Sequence, residues 1–264
     1  MTDLYSKGSN YLVSTSRGKY TTRKFDELDK LVVSRSLKGA KLVKLVDEAI
    51  SLVEQHRRQY TEAQWVHKDI VTIVGGLPNI THMKFGRGYQ EVIYEHWQQD
   101  QYKDHLENLK LSFLEAAERL ENINTIPVFA TIAPFHIKTW NNFRLKIGAT
   151  RYLNHAQEYP LMQRKINKLI PEMNNFIRSL NSKHEPSLAT PDLAKFNIKS
   201  GGKSRPYDIG YEGMDLDGCH PNDPAKCLKG RKLVNDWYTE LDLKMSKNRM
   251  TTASEKAIRI SMGH

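Results

Sequence analysis

Two rhythms of apolar residues alternate along the chain. Short, largely β-branched runs come first: Tyr11-Leu12-Val13, Leu31-Val32-Val33, Asp69-Ile70-Val71-Thr72-Ile73-Val74, and Thr125 to Ala133 with Val128-Phe129-Ala130-Thr131-Ile132 at its centre. Each ends on turn residues, and the run at Asp69–Val74 shows no polar alternation. These runs therefore predict strands, the third of them buried on both faces. Between and after them the apolar positions take helical spacing. Leu42, Leu45, Val46, Ala49 and Leu52/Val53 predict a helix over Lys41–Glu54, and Leu106, Leu109, Phe113, Leu114, Ala117 and Leu120 another over Lys103–Asn122. Met162–Leu180 reads as a long helix with Pro171 as a kink or start point, and Leu228–Leu241 as a last amphipathic one. Strand and helix in alternation predict an α/β fold, three layers deep (α/β/α), around a mostly parallel central sheet.

Residues 181–213 are rich in Lys, Ser, Pro and Gly and read as a long loop. From Lys244 the chain turns polar and basic, which predicts a loosely ordered tail. The expected organisation is one domain over 1–243 and a basic tail over 244–264, with no internal repeat. The 264 residues suffice for one large core. No apolar run approaches the roughly 20 residues that cross a bilayer. Met1–Asn10 is polar and lacks the apolar centre of a secretory leader, so an intracellular, cytoplasmic location is expected. The two cysteines, Cys219 and Cys227, read as free thiols of a reducing compartment. Composition does not indicate an oligomeric state.

A net charge of +10 raises affinity for polyanions without naming a site. Lys195, Lys199, Lys203 and Arg205 form one stretch without an acid, beside Tyr207, and are the candidates for contact with single-stranded nucleic acid. A solvated loop is the competing reading. Cys219, His220 and Cys227 lack the second ligand pair of a structural zinc site, so no metal is expected. No Gly-x-x-x-x-Gly-Lys pattern occurs, and no cofactor is expected.

In open α/β sheets the reactive groups lie beyond the carboxyl ends of strands. That rule selects Ser14–Gly18, Lys38–Ala40 and Gly75–Asn79. Ser16 is placed in its turn as a nucleophile would be, and Ser14 is equally available; either can also be an ordinary turn serine. The backbone N–H of Gly39, at the start of a helix, and the side-chain amide of Asn79 are donors suited to an oxyanion. In Asp217-Gly218-Cys219-His220-Pro221-Asn222 the carboxylate can sit beside the imidazole, fix its tautomer and leave the other nitrogen as a base.

The ordered set Ser16, Gly39, Asn79 and Asp217-x-x-His220 resembles the conserved blocks of the SGNH (GDSL-like) esterase family, from Tyr11 to about Leu241. The Asp217–Asn222 stretch is the closest match. The nucleophile block differs, with Ser14-Thr15-Ser16 where the family has Gly-Asp-Ser, and Asn79 is followed by Ile80. The set is also similar to divergent esterase-like proteins of animal retrotransposons and related mobile or viral elements, through Val128–Pro134, Thr139–Leu145 and Asp217–Asn222. The resemblance implies an SGNH-hydrolase-like fold and a serine esterase acting on a small, acetyl-like ester. Ser16, Asp217 and His220 would be its triad, and the N–H groups of Ser16 and Gly39 with the Asn79 side chain its oxyanion hole. The alternative is a catalytically idle basic module of the same fold that binds single-stranded nucleic acid.

Overall fold

A segment made almost wholly of β-branched residues gains most where both of its faces are covered, and Asp69–Val74 occupies such a place. The computed structural model describes residues 10–14, 32–37, 39–58, 68–81, 102–133, 135, 159–196 and 228–261. Within them, β1 (Asn10–Ser14), β2 (Val32–Ser36), β3 (Asp69–Val74) and β4 (Thr125–Phe129) form a parallel sheet in the order β2-β1-β3-β4. The helices are α1 (Leu42–Arg57), the short α2 (Leu77–Thr81), α3 (Tyr102–Glu121), α4 (Tyr159–Ser182) and α5 (Leu228–Ser261), with a 3-10 turn at Leu193–Phe196. None of them is long and apolar enough to cross a membrane.

Alternation along each strand divides the core. Tyr11, Val13, Val71, Ile73 and Phe129 meet α1, α3 and α4 in one large apolar cluster. On the opposite face Leu12 and Ala130 meet Leu193 and Tyr238, Leu241 and Met245 of α5, while Ile70 and Val128 pack on Leu188. The result is the expected three-layer α/β/α sandwich.

Local differences from the expected boundaries have physical causes. β2 continues through Ser34, Arg35 and Ser36, because it lies at the edge of the described sheet and tolerates polar residues. The turn after Gly76 closes into α2. In place of the expected loose tail beyond residue 243, α5 runs on to Ser261. Its buried stripe of Tyr238, Leu241 and Met245 passes to Asn248, a polar residue whose amide accepts from Ala189 N–H at 2.6 Å and donates to Ala189 C=O at 3.0 Å. Of the expected 181–213 loop, residues 183–192 are irregular and 197–213 lie outside the described residues.

The outer side of β4 is closed by side chains. Asn181 of α4 accepts from Phe129 N–H (3.0 Å) and donates to Phe129 C=O (2.8 Å). Asn174 does the same to Ile132, at 2.7 and 2.9 Å. Each amide stands in for the neighbouring strand that would otherwise satisfy those groups. At the amino end of the sheet, Arg57 donates to Asp69 Oδ2 from Nε (3.1 Å) and Nη2 (3.0 Å), and to the carbonyls of Ile123 and Asn124. The end of α1, the start of β3 and the turn before β4 thus share one guanidinium. Nearby, Tyr11 OH lies 2.8 Å from His56 Nδ1. Burial lowers the pKa of His56 against the opposing pull of Asp69, and burial likewise lowers that of His184.

Candidate active site

The strand register sets Ser14 beside Ser36 and Val74, so the carboxyl ends of β1, β2 and β3 are level. The chain crosses from one side of β1 to the other between β2 and β3, so the β1/β3 boundary is the switch point where open α/β sheets place their ligands. Two of the three turns selected from sequence are described there.

The first is the β2–α1 turn. Leu37 N–H donates to Ser14 C=O (2.8 Å) and Ala40 N–H to Leu37 C=O (3.1 Å). Gly39 is exposed at φ +67°, a left-handed conformation that glycine adopts without strain. The second is the β3–α2 turn. Gly76 has φ +98°, and a Cβ there would lie 2.9 Å from Phe113 Cζ and 3.0 Å from Ile132 Cδ1. Its carbonyl accepts from Asn79 N–H (3.0 Å) and Ile80 N–H (3.3 Å), which starts α2 and presents Asn79.

One hydrogen bond joins the turns. Lys41, the residue before α1, supplies no side-chain cap; Asn79 Oδ1 accepts from Leu42 N–H at 2.9 Å instead. A helix start leaves N–H donors unpaired, and an amide oxygen brought from another loop satisfies one of them. With its oxygen engaged by Leu42, the half-buried Asn79 amide still has its Nδ2 donors, and no described residue accepts from them. The sequence thus marks two donors, Gly39 and Asn79, and the fold brings their turns together.

Ser14 is different. It is 2 % exposed, and its Oγ donates to Ser36 Oγ at 3.2 Å across the strands. A hydroxyl so enclosed is not presented to an ester. Ser16 lies outside the described residues, as do Asp217 and His220. Lys199, Lys203 and Arg205 of the basic stretch also lie outside them, whereas Lys195 Nζ is in contact with the buried carboxylate Oε2 of Glu240. Among the described residues no cluster of His, Cys, Asp and Glu is arranged to hold a metal ion. The buried asparagines of α4 escaped the sequence reading, although Asn174 and Asn181 lie on the same helical stripe as Ile166, Ile170, Met173 and Ile177.

No protein-family model matches the chain, and no curated protein matches it. Solved structures do. A GDSL-like lipase from Bacteroides thetaiotaomicron superposes with a TM-score of 0.52 over 92 % of this chain and 89 % of its own, at 10 % identity. An acylhydrolase-type protein from Bacteroides fragilis gives 0.44 over 91 % and 88 %, also at 10 % identity. The chain shares the fold of the GDSL-like lipase.

Proposed function

We propose that the chain is a serine hydrolase of the SGNH type that cleaves a small acyl ester, such as an acetyl ester. The observation that carries this reading is the bond from Leu42 N–H to Asn79 Oδ1, which gathers the Gly39 and Asn79 turns and orients the amide while its Nδ2 donors meet no described acceptor. A neutral donor held in place is what a developing oxyanion requires, because it stabilises charge in the transition state with no reorganisation.

In this mechanism Ser16 Oγ attacks the ester carbonyl as His220 takes its proton. The tetrahedral oxyanion receives the N–H groups of Ser16 and Gly39 and the Nδ2 of Asn79. His220 returns the proton to the departing alcohol, and the acyl group stays on Ser16. Water, deprotonated by His220, then releases the acid and restores the serine. Asp217 holds the imidazole tautomer and stabilises its charged form. The fold shared with the GDSL-like lipase supports the reading, and the enclosure of Ser14 argues against Ser14 as the nucleophile.

The test is hydrolysis of p-nitrophenyl acetate by the wild type, Ser16→Ala and Ser14→Ala. Ser16→Ala is expected to lower kcat/KM on the order of a thousandfold or more, with Ser14→Ala close to wild type. A wild type no faster than Ser16→Ala would remove the hydrolase reading.

A further inference from the structure

Two side chains close against Gly76, and an amide of α4 supports each of them. A Cβ on Gly76 would lie 2.9 Å from Phe113 Cζ, 3.0 Å from Ile132 Cδ1 and 3.2 Å from Ile132 Cγ1, so both residues rest on the glycine. Ile132 lies past the end of β4 at Phe129, and Asn174 holds its N–H and C=O. Phe113 of α3 meets Phe129 edge-on with ring centroids 5.2 Å apart, and Asn181 holds the backbone of Phe129. Phe113, Ile132 and both asparagines are buried.

What depends on Gly76 is the start of α2. Its carbonyl accepts from the N–H groups of Asn79 and Ile80, so the place of Gly76 sets the direction in which α2 leaves the sheet. That helix has five residues, too few to hold a direction by its own hydrogen bonds. Gly76 cannot fix the turn with a side chain of its own, because at φ +98° there is no room for a Cβ. The direction comes from what the turn leans on. Asn79 Oδ1 is held by Leu42 N–H, and Gly76 is held by Phe113 and Ile132. A donor in a reactive site must keep within about 0.5 Å of its working position, so a small movement of Gly76 is felt at Asn79 Nδ2.

We infer that Ile132, its backbone held by Asn174, is a positioning residue for the Asn79 amide, with Phe113 as its counterpart on α3. The inference rests on the oxyanion role proposed for Asn79 above. Both side chains are buried and act through Gly76.

Ile132→Val removes Cδ1 and keeps the rest of the side chain. Ile177→Val makes the same deletion on α4, in the same apolar cluster, and is the control for plain loss of packing. Full-length wild type and variants are compared by thermal unfolding, by p-nitrophenyl acetate kinetics and by the proton–nitrogen NMR resonances of the Asn79 side-chain amide, assigned by their loss in Asn79→Asp. Ile132→Val is expected to shift those resonances and to lower kcat about tenfold with KM within about twofold, as a small displacement of a catalytic group does. Ile177→Val should lose a similar amount of thermal stability while keeping wild-type resonances and kcat. Phe113→Leu withdraws the other support and should move both readouts in the same direction as Ile132→Val. A folded Ile132→Val with unmoved resonances and kcat, or readouts moved equally by Ile177→Val, overturns the inference and leaves the hydrolase reading standing. A shift without loss of kcat overturns it too, since the donor then tolerates the movement. A wild type with no hydrolysis above the spontaneous rate removes the hydrolase reading instead, and the resonances alone then decide whether Ile132 positions the amide.

Discussion

Asparagine does opposite work at the two ends of this sheet's carboxyl edge. Along β4, Asn174 and Asn181 use both ends of their amides, each gripping the N–H and C=O of one backbone residue, and Asn248 of α5 grips Ala189 in the same way. At the β1/β3 switch point, Asn79 uses only its oxygen. The first three are buried and satisfied, and the two beside β4 stand in for a neighbouring strand. The fourth is half-buried, and its donors have no described acceptor. Polar groups fully used hold a fold together. A polar group half used, held still, and set where the sheet opens is available for chemistry.

Three substitutions probe that contrast, from the largest effect to the smallest. Asn181→Leu leaves the N–H and C=O of Phe129 buried without partners, at about 1–3 kcal/mol each, so urea unfolding should show a loss of roughly 2–5 kcal/mol. A loss under about 1 kcal/mol would mean that water replaces the amide, and that the β4 seam is less dependent on it than its geometry implies.

Asn79→Asp separates the two halves of the other asparagine. The carboxylate still accepts from Leu42 N–H, and a negative charge at a helix start is favourable, so stability should hold or rise by about 0.3–1 kcal/mol. The donors are gone, and kcat/KM should fall roughly a hundredfold or more. A stable Asp variant with wild-type turnover would place the oxyanion elsewhere.

Thr72 supplies the third case, a polar group with no hydrogen-bond partner among the described residues. Its Oγ1 is buried in the middle of β3 without a hydrogen bond, as are Ser34 Oγ and Trp237 Nε1. Thr72→Val should raise the unfolding free energy by about 1 kcal/mol. A decrease would show that the hydroxyl is hydrated in solution and belongs with the satisfied set.

Much of the architecture was legible because it depends on local periodicity. A run such as Ile70–Val74 has few alternatives to a buried strand, and the spacing of Leu42, Leu45, Val46 and Ala49 has few alternatives to a helix lying on it. Periodicity fails where a buried stripe is polar. The tail from Lys244 reads as loose because its stripe passes to Asn248, which becomes a core residue only when Ala189 offers both backbone groups. The same blindness hid Asn174, Asn181 and Glu240.

By itself the sequence determined the alternation of strands and helices and the turns that close β2 and β3, with Gly39 and Asn79 in them. Those are properties of neighbours along the chain. The tertiary structure decided that Ser14 is enclosed against Ser36, that the Gly39 and Asn79 turns share one hydrogen bond, and that Lys195 answers a buried carboxylate on α5. Each of these pairs residues far apart in sequence, and which atoms meet depends on the packing of the whole sheet.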